Sequence, residues 1–459
     1  SKSSLLSFIS DNSRSQSFRL KFLSMADTSL INVTGAAELN ITLAGGKADS
    51  TFDATGAAGK VTVVTGGEFD VIKMGGGNDV VDATEGVLGN TAVITYTGGE
   101  GSDRIKLAET VSASTLNTND STTDHSITGF ETVEMVATVL DATNGNTALT
   151  LDASKFSEAT SIVATLSSTD TDSTDTAGVT ITGLATNQSV SFTSYESAAQ
   201  SLNDLDVTLA TKTGPSDSIT VTSADPTSST RVNDINTLTV TGAVETLNLV
   251  LEADDVSTTS GTTIGDLDVL STATVNITGA GGATVVVANL NDGSGTGVTS
   301  VIDASAATGN LIFGGSSADF KDSNSEEFKI TLGSGTNKIY AGAVALDNDL
   351  YIGTTGTDTL YLTEADGSGT AIEPTVTKID NVIITPGAAD HSGPIDLSNF
   401  TDVSEVTVTS VAHIGTENVE LKDIASGQVI SLDPAAGAGA FQGDALTFTN
   451  ATGVTGLTL

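Results

Sequence analysis

Cysteine and tryptophan are absent from the 459 residues, and basic residues are scarce: 17 Lys and Arg stand against 57 Asp and Glu, a formal net charge of −40. Without cysteine, the chain is neither a disulfide-stabilised small domain nor a zinc protein with cysteine ligands. The shortage of basic residues argues against nucleic acid and anionic membranes as partners, because both are bound by clustered Lys and Arg. No apolar run approaches the roughly 20 residues that cross a bilayer, so no transmembrane segment is expected.

What is present is a hydrophobic fraction of 38% spread over short runs, together with 48 glycines. The runs alternate β-branched and polar residues and end at Gly, Asp or Asn, for example at residues 30–35, 60–66, 218–222 and 273–279. Period-two alternation bounded by turn residues predicts β-strands. The sequence therefore predicts a folded, all-β chain, long enough for about three domains at roughly 150 residues each.

A second recurring unit has the form apolar, acid or Asn, any residue, apolar, polar, apolar. It occurs at residues 130–135, 235–240, 244–249 and 379–384, and with Ser in second place at 403–408. Irregular spacing excludes a strict repeat array. Either stacked parallel rungs or β-sandwich modules would produce this pattern. The predicted fold is thus a multi-domain chain of parallel β-roll or β-solenoid rungs and β-sandwich-like modules.

Four segments are expected. Residues 1–24 have a net charge of +3, and they are either a basic arm that docks on an acidic neighbour or on polysaccharide, or a poorly ordered or processed extension. Residues 25–125 are expected to form a β-roll module, residues 126–310 β-rich middle modules, and residues 311–459 a C-terminal β-rich module.

The most specific chemical signal is a glycine-rich nonapeptide, G-G-x-G-x-D-x-U-x, in which U is apolar. Repeats of this kind build a parallel β-roll whose glycine half forms a Ca²⁺-binding turn and whose other half forms a short strand. Glycines allow positive φ and close backbone approach, so that carbonyl oxygens and the Asp carboxylate converge on a hard cation. Residues 98–105 match every defined position.

Partial copies occur at residues 65–72 and 74–81, and Asp70 and Asp79 are nine residues apart, as a β-roll requires. A further copy, without the second glycine, lies at residues 353–360. Asp-Gly turns without an ion are the alternative interpretation. The predicted Ca²⁺-binding residues are Gly66, Asp70, Gly75, Gly77, Asn78, Asp79, Asp82, Gly98, Gly99, Gly101, Asp103, Gly353, Gly356 and Asp358.

On these nonapeptides, the chain resembles the RTX proteins exported by type I secretion. Its composition and its E-T-L-N-L rungs are similar to those of bacterial surface-layer proteins of that export class. The resemblance implies a secreted, calcium-dependent, β-rich subunit that assembles with copies of itself on the cell surface. Surface polysaccharide is a further expected partner on separate grounds, as a docking surface for the basic residues 1–24. It also implies a C-terminal export signal, but the few tandem repeats and the lack of a glycine-rich block near residue 459 depart from that pattern.

An enzyme is not expected. The three histidines, His125, His391 and His413, form no H-E-x-x-H or other metal-binding spacing, and no phosphate-binding or dinucleotide fingerprint occurs. Two alternatives to a surface layer stay open. One is an extracellular filament or biofilm-matrix protein assembled through exchanged strands or terminal segments. The other is a carbohydrate-active β-solenoid enzyme that uses one of the abundant acid pairs.

Overall fold

The computed structural model describes residues 4–10, 16–21, 29–44, 50–65, 69–84, 94–108, 126–139, 147–168, 177–196, 204–210, 217–224, 233–242, 244–252, 261–269, 274–290, 299–315, 327–342, 349–363, 374–385, 395–409, 419–433, 446–449 and 457–458. The chain forms two compact units. The first comprises residues 1–213 and 219–224, and the second comprises residues 214–218 and 225–459.

The first unit contains short strands and one 3₁₀ turn, η1 (Ala153–Lys155). Its strands are β1 (Ser4–Ser10), β2 (Gln16–Lys21), β3 (Ser29–Gly35), β4 (Leu39–Ala44), β5 (Thr51–Ala57), β6 (Val61–Thr65), β7 (Val71–Lys73), β8 (Val80–Ala83), β9 (Thr95–Thr97), β10 (Arg104–Ala108), β11 (Ser126–Thr128), β12 (Thr132–Val139), β13 (Thr147–Asp152), β14 (Ser161–Ser168), β15 (Ala177–Leu184), β16 (Ser189–Glu196), β17 (Asp204–Leu209) and, apart from its first residue, β18 (Ser218–Ser223).

The second unit is built from strands of the same kind. They are β19 (Asn233–Thr241), β20 (Thr246–Leu251), β21 (Thr262–Val269), β22 (Thr274–Gly279), β23 (Ala283–Leu290), β24 (Thr299–Ala307), β25 (Leu311–Phe313), β26 (Glu327–Thr331), β27 (Thr336–Gly342), β28 (Leu350–Ile352), β29 (Thr357–Thr363), β30 (Thr375–Thr377), β31 (Asn381–Thr385), β32 (Ile395–Asp396), β33 (Phe400–Thr401), β34 (Glu405–Thr409), β35 (Val419–Lys422), β36 (Val429–Asp433), β37 (Leu446–Thr449) and β38 (Leu457–Thr458).

Each unit is a β-solenoid in which alternate strands belong to different sheets. In the first unit, the even-numbered strands β2 to β18 form one sheet, the odd-numbered strands β1 to β11 form a second, and β13, β15 and β17 form a third. In the second unit, one sheet contains the even-numbered strands β20 to β30 and then β33. Another contains the odd-numbered strands β19 to β31, followed by β34, β36 and β38. The strands β32, β35 and β37 form a short additional sheet. Neighbouring strands are parallel throughout the register that is described.

Alternation along each strand determines which side chains face the interior. In the first unit, one inward position is occupied in successive coils by residues that are at most 1% exposed: Ile41, Val63, Val81, Ile105, Val133, Ile162 and Val190. An equivalent column in the second unit consists of Ile235, Ile264, Val285, Phe313, Ile339, Leu360, Val382, Val406 and Ile430. Burial of each such side chain contributes about 1.5–3 kcal/mol, so these columns hold the coils together.

A short Asp-Ala-Ser or Asp-Ala-Thr sequence turns the chain at several corners. At Asp53, Asp82 and Asp152, the carboxylate Oδ1 accepts hydrogen bonds from both the backbone N–H and the hydroxyl of the residue two positions later. Asp303 accepts the equivalent backbone bond. The central alanine is buried each time. These aspartates therefore close Asx-type turns.

The all-β fold with parallel solenoid rungs, predicted from the alternation, is confirmed. The described strands of residues 126–310 are parallel rungs like those on either side of them. The finer four-segment division remains a prediction. Within the described residues, no helix is long and apolar enough to cross a membrane.

Candidate functional site

The nine-residue step from Asp70 to Asp79 corresponds to half a coil. Asp70 precedes β7 and Asp79 precedes β8, and these strands belong to different sheets. The parallel register places Asp79 beside Val61 of the preceding coil and Asp103 of the next one. Asp79 and Asp103, 24 residues apart, therefore occupy the same corner of successive coils, whereas Asp70 lies at another corner.

Four stacked turns make up this corner, which we call the first corner column. Each turn leads directly into a strand of the even-numbered sheet, β6, β8, β10 or β12. The turns comprise residues 57–61, 75–79, 99–103 and 129–131.

Glycines allow the turns of the first corner column to stack closely. A Cβ on Gly99 would overlap the carbonyl oxygen of Gly75, and one on Gly101 would overlap that of Gly77. Gly99 and Gly101 also adopt φ angles of 106° and 140°, a region that side-chain-bearing residues rarely enter. Glycine at these positions is therefore required both by the backbone conformation and by the adjacent coil.

Acidic side chains in this column accept backbone N–H groups from one coil to the next. Asp79 Oδ1 accepts the N–H of Val61 at 2.7 Å, and its Oδ2 accepts the N–H of Gly75 at 3.1 Å. Asp103 Oδ1 accepts the N–H of Asp79 at 2.7 Å, and Glu131 Oε2 accepts that of Asp103 at 2.7 Å. The carboxylates thus satisfy backbone donors that the corners remove from the sheet ladder.

Asp103 differs from Asp79 in one oxygen. Its side chain is 1% exposed, and Oδ2 is buried without a hydrogen-bond partner among the described residues. A Cβ on Gly98 would overlap the carbonyl oxygen of Gly129 and would lie 2.8 Å from Asp103 Oδ2. The Gly129 carbonyl oxygen therefore packs directly against Gly98, and the unpartnered Oδ2 of Asp103 lies close to the same glycine.

The neighbouring acids of the first corner column disfavour the ionised form of Asp103. Burial raises the pKa of Asp103 to about 7; the N–H of Asp79 opposes this shift, and the negative charges of Asp79 and Glu131 add to it. Burial also raises the pKa of Asp79, against the lowering effect of its bonds to Val61 and Gly75. A cation or a proton at Asp103 would relieve both the burial and the repulsion.

Because the folded protein holds a proton on Asp103 that the unfolded chain loses near pH 4, stability is expected to fall as pH rises from about 4 to 7. The full shift corresponds to about 4 kcal/mol, and solvent screening reduces this to about 2 kcal/mol. Urea unfolding in chelator at pH 4.5 and 7.5 measures the loss, and Asp103→Asn should reduce it. An unchanged pH dependence in Asp103→Asn would contradict this assignment.

Two other predicted ligands near this corner have different roles. Asn78 Oδ1 accepts the N–H of Ser102 at 3.1 Å, which joins successive turns. Asp82 lies within β8, and its Oδ1 accepts the N–H of Thr84 at 3.2 Å and the hydroxyl at 2.6 Å. The structure therefore separates Asp82 from the carboxylates of the column. Gly66 lies outside the described residues.

Gly353, Gly356 and Asp358 belong to a similar arrangement in the second unit, the second corner column. Its turns comprise residues 307–311, 333–337, 354–358 and 378–380. A Cβ on Gly356 would overlap the carbonyl oxygen of Gly335. A Cβ on Gly353 would overlap that of Lys378 and would lie 2.6 Å from Asp358 Oδ2.

Both oxygens of Asp358 are hydrogen bonded. Oδ2 accepts the N–H of Thr354 at 3.0 Å, and Oδ1 accepts a side-chain N–H of Asn337 at 2.8 Å. The N–H of Asp358 donates to Asp380 Oδ2 at 2.9 Å. Burial raises the pKa of Asp358, while the bonds from Asn337 and Thr354 lower it and the charge of Asp380 raises it further.

The sequence motifs did not identify three residues of these columns: Glu131, Asp380 and Asn337. Glu131 and Asp380 occupy the second place of the recurring rung unit, and each accepts an N–H from the preceding coil. Glu245 does the same for Asp217, at 2.7 Å. An acid in the second place of the rung unit therefore indicates a side chain that accepts a backbone N–H of the preceding coil. Asn337 carries no such signal, because the nonapeptide pattern requires Asp at its position.

The first corner column fits a hard cation better than the second. Ca²⁺ takes oxygen ligands, and in the first column the unpartnered Oδ2 of Asp103 and the carbonyl oxygen of Gly129 both lie close to Gly98. Within the part of the chain that the structure describes, no group of three or more His, Cys, Asp or Glu side chains surrounds a possible metal position. Any ion at Asp103 would therefore rely on backbone carbonyls or water for its remaining ligands.

Comparisons with known proteins provide no relative on which these features could be located. No family model, no curated protein and no solved structure matches this chain.

Proposed function

We propose that this protein is a structural, secreted subunit that assembles with Ca²⁺ into an extracellular layer at the cell surface. The observation that carries the proposal is the buried, unpartnered Oδ2 of Asp103, in the nonapeptide that matches every defined position. A hard cation is a partner that would relieve such a buried carboxylate oxygen, and the surrounding nonapeptide favours Ca²⁺ over a proton in this role. Surface polysaccharide remains a further proposed partner.

The parallel solenoid supports a structural role. Its interior is filled by columns of apolar side chains, while the outward positions of the strands carry mainly Thr, Ser, Asn and Asp. Copies of a chain with a net charge of −40 repel one another. Monovalent salt screens that repulsion only beyond about 8–10 Å at ordinary ionic strength, so close contacts between subunits call for a bound counter-charge.

In this proposal, Asp103 Oδ2 and the Gly129 carbonyl oxygen would hold the ion, which supplies the positive charge that the corner lacks. The N–H bond from Asp79 to Asp103 Oδ1 would fix the carboxylate in place. A held ion would lock the turn before β10 onto the turn before β12, and so would stabilise the coils that present their outer faces to other subunits.

Electron microscopy of the purified full chain, in Ca²⁺ and in excess chelator, tests this function. Sheets are expected in Ca²⁺ alone, and Asp103→Asn should prevent their formation. Asp82→Asn is the matched control, because it removes the same charge from a position in β8 outside the first corner column and retains an acceptor for Thr84. Ordered material that persists in chelator would contradict the proposal, and filaments in place of sheets would favour the matrix alternative.

A further inference from the structure

We propose that the second corner column is a cation-free counterpart of the first, in which the side-chain amide of Asn337 replaces the ion. Of the two columns, only the first would then bind Ca²⁺, at Asp103. This inference rests on the proposed Ca²⁺ site and adds that Asp358, despite its nonapeptide-like turn, is not a calcium ligand.

The two columns correspond turn by turn. Each begins with an Asp-Ala-Thr or Asp-Ala-Ser corner, at Asp53 or Asp303, opposite a register shift in the neighbouring strand. Two glycine turns follow, and then a turn that begins with a positive φ, at Gly129 or Lys378. The parallel register pairs the last residue of each turn with the last residue of the turn in the next coil. In order, these residues are Val61, Asp79, Asp103 and Glu131 in the first column, and Leu311, Asn337, Asp358 and Asp380 in the second.

Asn337 occupies the place of Asp79, but its Nδ2 donates hydrogen bonds where Oδ2 of Asp79 accepts one. Its Oδ1 accepts the N–H of Leu311 at 3.0 Å, as Asp79 Oδ1 accepts that of Val61. Its Nδ2 donates to the carbonyl oxygens of Gly333 and Gly335, at 3.1 and 3.2 Å. The corresponding Oδ2 of Asp79 instead accepts an N–H. The fully buried Asn337 amide therefore fits a turn that offers carbonyl oxygens.

The same amide supplies the donor that Asp358 needs. Nδ2 of Asn337 donates to Asp358 Oδ1 at 2.8 Å, and the N–H of Thr354 donates to Asp358 Oδ2. Asp79 cannot donate through an ionised side chain, so among the described residues Asp103 accepts only a backbone bond, on Oδ1. Gly99 occupies the position that Thr354 has in the second column. Its φ is 106°, and no described N–H donates to Asp103 Oδ2.

Charge distinguishes the columns in the same way. The first places three acids, Asp79, Asp103 and Glu131, at one corner of adjacent coils, about 4.8 Å apart along the sheet. The second has a neutral amide at the first of these positions. An amide donor between carbonyl oxygens and a carboxylate performs the role that an ion would perform there, so the described side chains of the second column leave no unpartnered carboxylate oxygen for Ca²⁺.

The experiment counts bound Ca²⁺ per chain by equilibrium dialysis and measures thermal unfolding in Ca²⁺ and in chelator for four full-length proteins. They are the unaltered chain, Asp103→Asn, Asp358→Asn and Asn337→Asp. Asp103→Asn is expected to lose about one ion and its share of the Ca²⁺-dependent rise in Tm. Asp358→Asn is expected to keep the ion count, and its Tm should fall equally with and without Ca²⁺.

Asn337→Asp is expected to gain about one ion. It would place a carboxylate beside the carbonyl oxygens of Gly333 and Gly335 and beside Asp358, so its stability should become dependent on Ca²⁺. Loss of an ion in Asp358→Asn, with Asp103→Asn also losing one, would overturn the cation-free assignment and leave the proposed function standing. An unchanged ion count in Asp103→Asn would overturn the proposed calcium site itself.

Discussion

Replacing Gly101 with Ala is expected to destabilise the folded protein by about 2–5 kcal/mol. A Cβ there would overlap the carbonyl oxygen of Gly77 in the adjacent coil, and the φ of 140° disfavours any side chain. The conformational cost is about 1–2 kcal/mol, and the forced shift of a packed backbone adds about 1–3 kcal/mol. Urea unfolding followed by far-ultraviolet circular dichroism measures the difference.

Gly76→Ala is the matched control for this substitution. Gly76 lies in the same stack of turns, its φ is not in the left-handed region, and a Cβ there would meet only the carbonyl oxygen of Ala57, at 3.9 Å. Its effect on the free energy of unfolding should stay within about 1 kcal/mol. Equal losses in Gly101→Ala and Gly76→Ala would contradict the stacking of the turns.

Asp79→Ala is expected to cost about 2–4 kcal/mol of stability. The substitution leaves the buried N–H groups of Val61 and Gly75 without their acceptor, at about 1–3 kcal/mol each. Relief of the repulsion between Asp79 and Asp103 offsets part of that cost. The free energy of unfolding from urea titration at pH 7 in chelator provides the measurement.

Asp82→Ala removes the same charge three residues further along the chain, within β8, and serves as the comparison. Within the part of the chain that the structure describes, the half-buried Asp82 carboxylate accepts hydrogen bonds only from Thr84 in its own turn, so its removal should cost about 0.5–1 kcal/mol. A loss in Asp79→Ala no larger than that in Asp82→Ala would show that the N–H groups at the corner find other partners.

Much of the solenoid could be predicted from the sequence, because its signals are local. Residues 30–35 and 218–222 alternate as strands do, and they form most of β3 and β18. The nine-residue step between Asp70 and Asp79 matches half a coil, since Val63 pairs with Val81, 18 residues away. Period-two patterning and coil length follow from backbone geometry alone.

The composition of the corner columns was harder to predict, because coil lengths vary. Val81 pairs with Ile105 after 24 residues, and Ile105 pairs with Val133 after 28. Only this register brings Asp103 between Asp79 and Glu131. Asn337 was not predicted at all, since its role depends on a hydrogen bond to Asp358, 21 residues away, that no motif encodes.

Of the two corner columns, we propose that only the first holds a calcium ion, at Asp103, while Asp358 is satisfied by the side chain of Asn337. Anomalous diffraction from crystals of the full chain grown with Ca²⁺ distinguishes the two aspartates. We expect an anomalous peak within coordination distance of Asp103 Oδ2 and the carbonyl oxygen of Gly129, and no peak at Asp358. No peak at Asp103, or peaks of equal height at both aspartates, would contradict it.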